Sequence, residues 1–294
     1  MNYYNEIKRE LINNEIVKKV KDYSKNKSDL STYYNVGKLL YEAGKHYGEG
    51  IINKYSKRLT DDLGKGYGIS NLKRFRQFYM IIQKGATLSH QLTWSHYSTM
   101  LPVSNIDSIN YYVKICEQQN LSVRLLRNRI KNKEYERLDD KTKEKLINKE
   151  NISVNDFIKN PIMIKSNLDY EEVSEKVLKQ LILEDIDNFL TELGEGFCYK
   201  KNEYPIKLGN RYNYLDLLLF NIKYNCYVVV ELKICELKAE HIGQIKKYMN
   251  YVDKNIKTIN QDKTIGIIIC KRNNKFVIEY SSDERIISRE YVLL

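Results

Sequence analysis

Asp216, Glu231 and Lys233 are charged residues set where core packing has no use for them. Asp216 interrupts the apolar run YLDLLLF, and fifteen residues later the run YVVV leads directly into Glu231-Leu232-Lys233. Side chains alternate across a strand, so Glu231 and Lys233 share one face while Val230 and Leu232 take the other. By the same alternation Asp216 shares a face with Tyr214 and Leu218, opposite Leu215, Leu217 and Leu219. If the two runs pair as a hairpin through FNIKYNC, whose Asn and polar residues suit a turn, two carboxylates and one ammonium converge. Such a cluster is a hard-oxygen metal site, Asp216 and Glu231 being its ligands, with a cation beside it. Mg²⁺ fits because it takes one or two carboxylates and keeps waters and substrate phosphate as its other ligands; Mn²⁺ is expected to substitute. A bound divalent ion lowers the pKa of its water and neutralises charge developing on a phosphodiester, with Lys233 placing the water or stabilising the transition state. The chemistry is phosphodiester hydrolysis.

A helix spanning 239–253 should follow Lys233 and carry Gln244 and Tyr248, four apart on one face. Aimed at the site, they hold the substrate phosphate or the attacking water; the alternative is that Tyr248 packs in the core and Gln244 caps a strand. His241 is expected at the surface. The order D…E-L-K followed by Q-x-x-x-Y looks like the PD-(D/E)XK nuclease superfamily. More narrowly, the strings FLTELGEGF, YLDLLLF, VVVELK, GQIKKYM and TIGIIIC, with LTWSH upstream, resemble the YhcG-type family over nearly the whole chain. The resemblance implies an N-terminal helical DNA-binding region joined to a restriction-endonuclease-like domain. It also implies a metal-dependent deoxyribonuclease acting in DNA repair, recombination or defence against foreign DNA. From the family string, Glu184 on the domain's first helix is the further carboxylate of the site. Leu215, not Pro, precedes Asp216, a departure that touches no ligand.

The elements that must position these groups are readable in outline. A helix over 171–193, ended by Gly194 and Gly196, should precede strands near 198–208, 212–220 and 226–233. After the 239–253 helix come a fully apolar strand at 264–270 and a final strand at 276–280. Strands, a helix and a buried strand make a mixed sheet flanked by helices, an α/β layer fold. Upstream, apolar residues recur at helical spacing from Ile7 onward, giving an all-helical region. Ser70 is the expected N-cap of a helix bearing Lys73, Arg74 and Arg76 beside Phe75, Phe78 and Tyr79, a candidate recognition helix after the LGKGYG loop. Ser122 should cap a second basic helix with Leu125, Leu126 and Ile130 on one side and Arg124, Arg127 and Arg129 around the other, dense enough for phosphate contact. Trp94 and His96 read as a buried ring and a hydrogen-bonded histidine at a helix start. The stretch 139–170 reads as a connector, which places the domain boundary near Pro161: residues 1–160 helical and DNA-binding, residues 161–294 the nuclease domain.

Composition agrees. The 294 residues suffice for two cores, and the net charge is +11. Residues 1–150 hold 28 Lys and Arg against 17 Asp and Glu, whereas residues 151–294 hold 21 of each, so the whole excess lies in the half expected to meet a polyanion. A compositional bias toward Lys, Asn and Tyr is the bland alternative. Five cysteines without a CxxC pair argue for reduced thiols in a cytoplasmic protein, not a disulfide frame or a zinc site. No apolar run is long enough to span a membrane, and the polar N-terminus does not read as a secretory signal. Cutting both strands with one site per chain calls for a dimer or two encounters, and a homodimer or higher assembly is expected. A DNA-binding or assembly module with an idle or partner-dependent nuclease fold, and RNA processing, are the competing functions.

Overall fold

The computed structural model describes residues 2–20, 25–150, 153–280 and 283–294. The chain divides into two compact units, Met1–Glu136 and Arg137–Leu294. The division falls ahead of Pro161, so the stretch expected to be a connector folds with the second unit.

The first unit is helical among its described residues: α1 (Tyr3–Val20), α2 (Lys25–Tyr47), α3 (Ile51–Leu63), α4 (Ile69–Gln83), α5 (Trp94–Met100), α6 (Ile106–Gln119) and α7 (Val123–Lys131). Its apolar stripe is that expected of amphipathic helices: Ile7 and Leu11, Val36 and Leu40, Ile52 and Leu59, and Leu72 and Phe75 meet in one core. Gly68, not Ser70, is the N-cap of α4; Ser70 lies within the first turn. Ser122 caps α7 as expected, accepting the Leu125 amide hydrogen at 3.3 Å. On α7 Leu126 is buried but Leu125 is 52% exposed, so the apolar side is narrower than its sequence suggests. His96 Nδ1 accepts from Thr93 N at 3.2 Å and its Nε2 lies 3.0 Å from the Leu121 carbonyl oxygen. The Trp94 ring packs against Tyr33, Phe75 and Phe78, which assigns this pair a structural role.

The second unit contains α8 (Asp140–Asn148), a 3₁₀ turn (Val154–Phe157), β1 (Ile162–Ile164), α9 (Glu175–Glu184), α10 (Ile186–Leu193), β2 (Phe197–Leu208), β3 (Arg211–Asn221), β4 (Cys226–Glu236), α11 (Ala239–Asn255), β5 (Asp262–Arg272), α12 (Lys275–Glu279) and β6 (Ile286–Leu293). The strands form one sheet in the order β1-β6-β5-β4-β3-β2. β2, β3 and β4 are antiparallel; β4, β5, β6 and β1 are parallel. The expected mixed sheet flanked by helices is present. The parallel strands are apolar on both faces because helices cover both: α9 and α10 enclose one core with Val228, Val230 and Ile267, and α11 encloses the other with Val229, Ile245 and Ile268. At Gly266 a Cβ would lie 2.6 Å from Met249 Sδ, so α11 lies directly on β5.

Two expectations fail here. The single helix expected over 171–193 is two, because Asp185 (φ −127°, ψ 48°) leaves helical geometry. Residues 276–280 are not a strand: Asn274 accepts the Val277 amide hydrogen and starts a short helix. The last strand is β6, a segment for which the sequence suggests no element. Among the described residues, no helix is long and apolar enough to cross a membrane. All five cysteines are free thiols.

Candidate active site

β3 and β4 join through the four residues 222–225 and stay paired from Asn221↔Cys226 to Leu217↔Val230. Beyond that pair the strands separate, and Asp216 fills the gap. Its Oδ2 accepts the Leu232 amide hydrogen at 3.0 Å, replacing the bond a β3 carbonyl would have made and satisfying a buried donor. The separation also breaks the strand's alternation. Leu217 and Leu219 enter the core beneath α9 and α10, whereas Leu215 joins Leu218 beneath α11, contrary to the expected grouping of Leu215 with Leu217 and Leu219. β4 keeps its alternation, so Glu231 and Lys233 emerge opposite Val230 and Leu232.

Glu231 is 2% exposed. Burial, and then the Asp216 charge, push its pKa up to about 8, while Lys233 opposes them. Gln244 Nε2 donates to Glu231 Oε2 at 3.2 Å and reaches the Tyr248 hydroxyl at 3.1 Å. The Tyr248 ring packs in the core beneath α11, the alternative reading for it, and its hydroxyl accepts from Gln244. Glu231 Oε1 is buried with no hydrogen-bond partner. Lys233 Nζ lies 3.5 Å from Glu231 Oε2 and 3.7 Å from Glu175 Oε2. Two carboxylates from neighbouring strands, one with a buried unpartnered oxygen, fit a hard divalent cation. Among the described residues no three Asp, Glu, His or Cys side chains gather around a metal position. Waters and substrate oxygens would complete the shell, as Mg²⁺ prefers.

Glu184 is not brought to this cluster. It is exposed at the far end of α9, where it accepts from Gln180 at 3.1 Å. The helical carboxylate that approaches Lys233 is Glu175, nine residues earlier and thus about 13 Å away along the axis. Ser174, which caps α9 by accepting the Val177 amide hydrogen, was the signal that Glu175 opens the helix. Lys179, one turn further, was missed altogether. Its Nζ lies 3.4 Å from Asp216 Oδ1 and 2.9 Å from Glu203 Oε1; burial opposes its charge, but these carboxylates raise its pKa overall. His241 is buried, not superficial; its Nδ1 accepts the Lys238 amide hydrogen at 3.2 Å. Burial and the nearby Lys233 charge lower its pKa.

In the helical unit, Lys73 and Arg74 on α4 and Arg124 and Arg127 on α7 are exposed. Arg76 pairs with Glu49 at 2.6 Å, and Glu49 is itself 76% exposed, so water or an anion can exchange with that pair. Arg129 turns inward to Glu134 at 3.3 Å, where Tyr111 also donates to the carboxylate; this arginine serves the fold.

Residues 155–292 match the family model of the YhcG PDDEXK nuclease domain, and residues 9–137 match that of the DUF1016 N-terminal domain. The YhcG protein of Escherichia coli (strain K12) is 24% identical over 284 residues, an alignment spanning 82% of this chain and 76% of that protein. Two solved structures are similar to part of the chain: the crystal structure of a repair endonuclease from Pyrococcus abyssi (24% identity, TM-score 0.32) and the structure of the EndoMS-dsDNA2 complex (21% identity, TM-score 0.31). They cover 40% and 42% of this chain, and the matched part spans about half the length of either, 47% and 48%. With a DUF1016 N-terminal domain followed by a PDDEXK nuclease domain, the chain belongs to the YhcG-type family that its sequence strings resemble.

Proposed function

We propose that this chain is a divalent-metal-dependent DNA endonuclease whose active centre is built by Asp216, Glu231 and Lys233. The observation that carries this reading is Glu231: a carboxylate buried beside a second carboxylate, with one oxygen left unpartnered, adds nothing to a core and suits a cation. Asp216 and Glu231 would hold Mg²⁺, or Mn²⁺ in its place. When bound, that ion supplies an activated water and countercharge for the phosphodiester. Lys233 directs a hydrogen bond toward the attacking water or a phosphate oxygen. Glu175, in place of Glu184, orients the Lys233 ammonium. Gln244, braced by Tyr248, holds the Glu231 carboxylate in its rotamer. Lys73, Arg74, Arg124 and Arg127, with Arg76 once released from Glu49, take backbone phosphates; Arg129 stays with Glu134. The cellular setting is the repair, recombination or defence against foreign DNA that the family resemblance implies.

The test compares wild type with Asp216→Ala and Lys233→Ala on supercoiled plasmid, linear duplex, branched and single-stranded DNA, with Mg²⁺, Mn²⁺ or EDTA. Cutting should require the metal and fall by at least about 10³-fold in both variants, the scale of losing a group that acts on the transition state. DNA binding without cutting by the wild type would instead assign the chain as a binding module. Each chain holds one such centre, so double-strand cleavage needs a dimer or two encounters, and we expect a homodimer or higher assembly. Gel filtration at low and high salt checks this, and a monomer at both would refute it.

A further inference from the structure

The β2–β3 hairpin continues beyond the last β3–β4 pair as a free two-stranded ribbon. Its pairing runs from Tyr204↔Leu215 to Leu208↔Arg211 and closes over Gly209 and Asn210, where Gly209 supplies the positive φ of 62° that a two-residue hairpin turn needs. One face of the ribbon is anchored, because Ile206 and Leu215 are buried in the core beneath α11. The other face carries Tyr212, 64% exposed, and Tyr214, 59% exposed. Leu215 is buried beneath α11 while Asp216 meets Lys179 of α9, so the break in alternation falls after Asp216; Tyr212, Tyr214 and Asp216 share the face of β3 opposite the α11 core, and the two rings form a row that leads toward the candidate active site.

The charges around this row have one sign. Lys201, Lys207 and Arg211 are exposed, and none makes an ion pair among the described residues. Lys207 Nζ stands 6.0 Å from the centre of the Tyr212 ring, and Lys207 and Tyr212 are register partners. The one acidic residue of the ribbon strands before Asp216, Glu203, is already held by Lys179. Lysines and Pro205 on β2 are also what an exposed sheet edge uses against edge-to-edge pairing, but that need does not explain two large aromatic rings on β3. Single exposed tyrosines are ordinary. Two in register, flanked by free cations and aligned with a phosphodiesterase-like centre, are a stacking surface for a polyanion.

We propose that Tyr212 and Tyr214 form a platform on which successive bases of single-stranded DNA stack, with Lys207 and Arg211 on its phosphates, feeding an unpaired strand to Asp216 and Glu231. The spacing selects the single strand. Residues two apart on a strand stand about 6.8 Å apart, roughly twice the ~3.4 Å rise per base of a duplex strand. Bases can meet both rings only when pulled out of their own stack, and a duplex offers no free base face. The proposal rests on the nuclease reading of the site and narrows its substrate to single strands, flaps or frayed ends.

Fluorescence anisotropy of the full-length protein in EDTA, where cleavage is blocked, tests it with a labelled oligothymidylate of about 20 nucleotides, longer than one stacking site, and a duplex of equal length. Tyr212→Ala/Tyr214→Ala should weaken single-strand binding tenfold or more and duplex binding less than threefold. Tyr212→Phe/Tyr214→Phe, which keeps both rings, should bind the single strand within about threefold of wild type. Equal loss on both DNAs, no loss on either, failure of the Phe variant, or wild type that does not bind the single strand would each overturn the platform. A drop in oligomeric mass with unchanged single-strand affinity would do so as well, by assigning the tyrosines to a contact between copies. Metal-dependent cutting that Asp216→Ala abolishes, together with an inert tyrosine pair, would leave the nuclease standing without the platform; cutting that survives Asp216→Ala would remove the nuclease assignment whatever the tyrosines do.

Discussion

Glu231→Gln is expected to abolish metal-dependent cleavage and, in EDTA, to make the protein more stable than wild type at pH 7.5. The sign follows from the raised pKa of Glu231, about 8 against 4.5 for an ordinary glutamate. An acid whose folded pKa lies above its unfolded one contributes stability that is fully present below about pH 4.5 and is lost as pH rises through about 8. At pH 7.5 most of that loss has occurred. The unfolded chain releases the proton freely, whereas the folded chain must keep it or bury a charge beside Asp216. A shift of this size corresponds to about 3–5 kcal/mol between acid and neutral pH. Glutamine accepts the Gln244 bond through its amide oxygen and has no proton to lose, so it escapes the penalty. Thermal melts in EDTA should therefore show the variant about 5–10 °C above wild type at pH 7.5 and level with it near pH 4. Adding Mg²⁺ should raise the wild-type melting temperature, since the ion binds the folded form only, and leave the variant unmoved. A variant that melts with or below wild type at pH 7.5 would mean that Glu231 is not a strained carboxylate awaiting a cation. Stability given up at this position is the expected cost of assembling like charges for catalysis.

The centre was legible because it violates the rules that make the rest of the strands readable. A carboxylate within YLDLLLF and a Glu-Leu-Lys closing YVVV stand out against apolar runs, and the two-residue period fixes the face of Glu231 and Lys233. Gln244 and Tyr248 followed from helical spacing. What was not legible depends on tertiary geometry. The break of β3 from β4 at Asp216 changes which leucines share a face, and no local pattern announces it. Glu175 and Glu184 lie on one helix with similar neighbours, and only the docking of α9 decides which end meets Lys233. Lys179 reads as one more surface lysine until Asp216 is placed opposite it. At the C-terminus, Phe276 to Tyr280 has strand-like residues, but the Asn274 cap makes a helical turn. β6 hides Ser288 and Arg289 in its register, Ser288 buried against β5 and Arg289 donating to the Ile158 carbonyl at 2.9 Å.

Ile158 belongs to the segment that the sequence assigned to a connector, and the largest stability effect outside the site is expected from that segment. Arg137, the first residue of the second unit, is 8% exposed and forms a two-pronged pair with the buried Glu192 of α10. It also donates to the Pro161 carbonyl at 2.8 Å, while Glu192 accepts the Met163 amide hydrogen at 3.0 Å. One pair thus ties the start of the unit, the entry to β1 and the end of α10 together. Despite burial, the Arg137 hydrogen bond and the Lys159 and Arg137 charges hold the Glu192 carboxyl below the usual range. Removing the guanidinium leaves a carboxylate enclosed with half its partners gone, and breaking a buried pair on one side costs about 3–5 kcal/mol. Arg137→Met should therefore unfold the nuclease unit at a much lower denaturant concentration. Arg137→Met/Glu192→Met should recover most of the loss, because apolar side chains of similar volume leave no charge behind. A fragment of residues 137–294 should melt cooperatively, whereas one of residues 161–294, cut at the boundary read from the sequence, loses both Arg137 and the core residue Ile158 and should not fold. Urea unfolding followed by circular dichroism separates these outcomes. If the shorter fragment folds as stably as the longer one, residues 137–160 are a linker after all, and the burial of Arg137 does not hold the unit together.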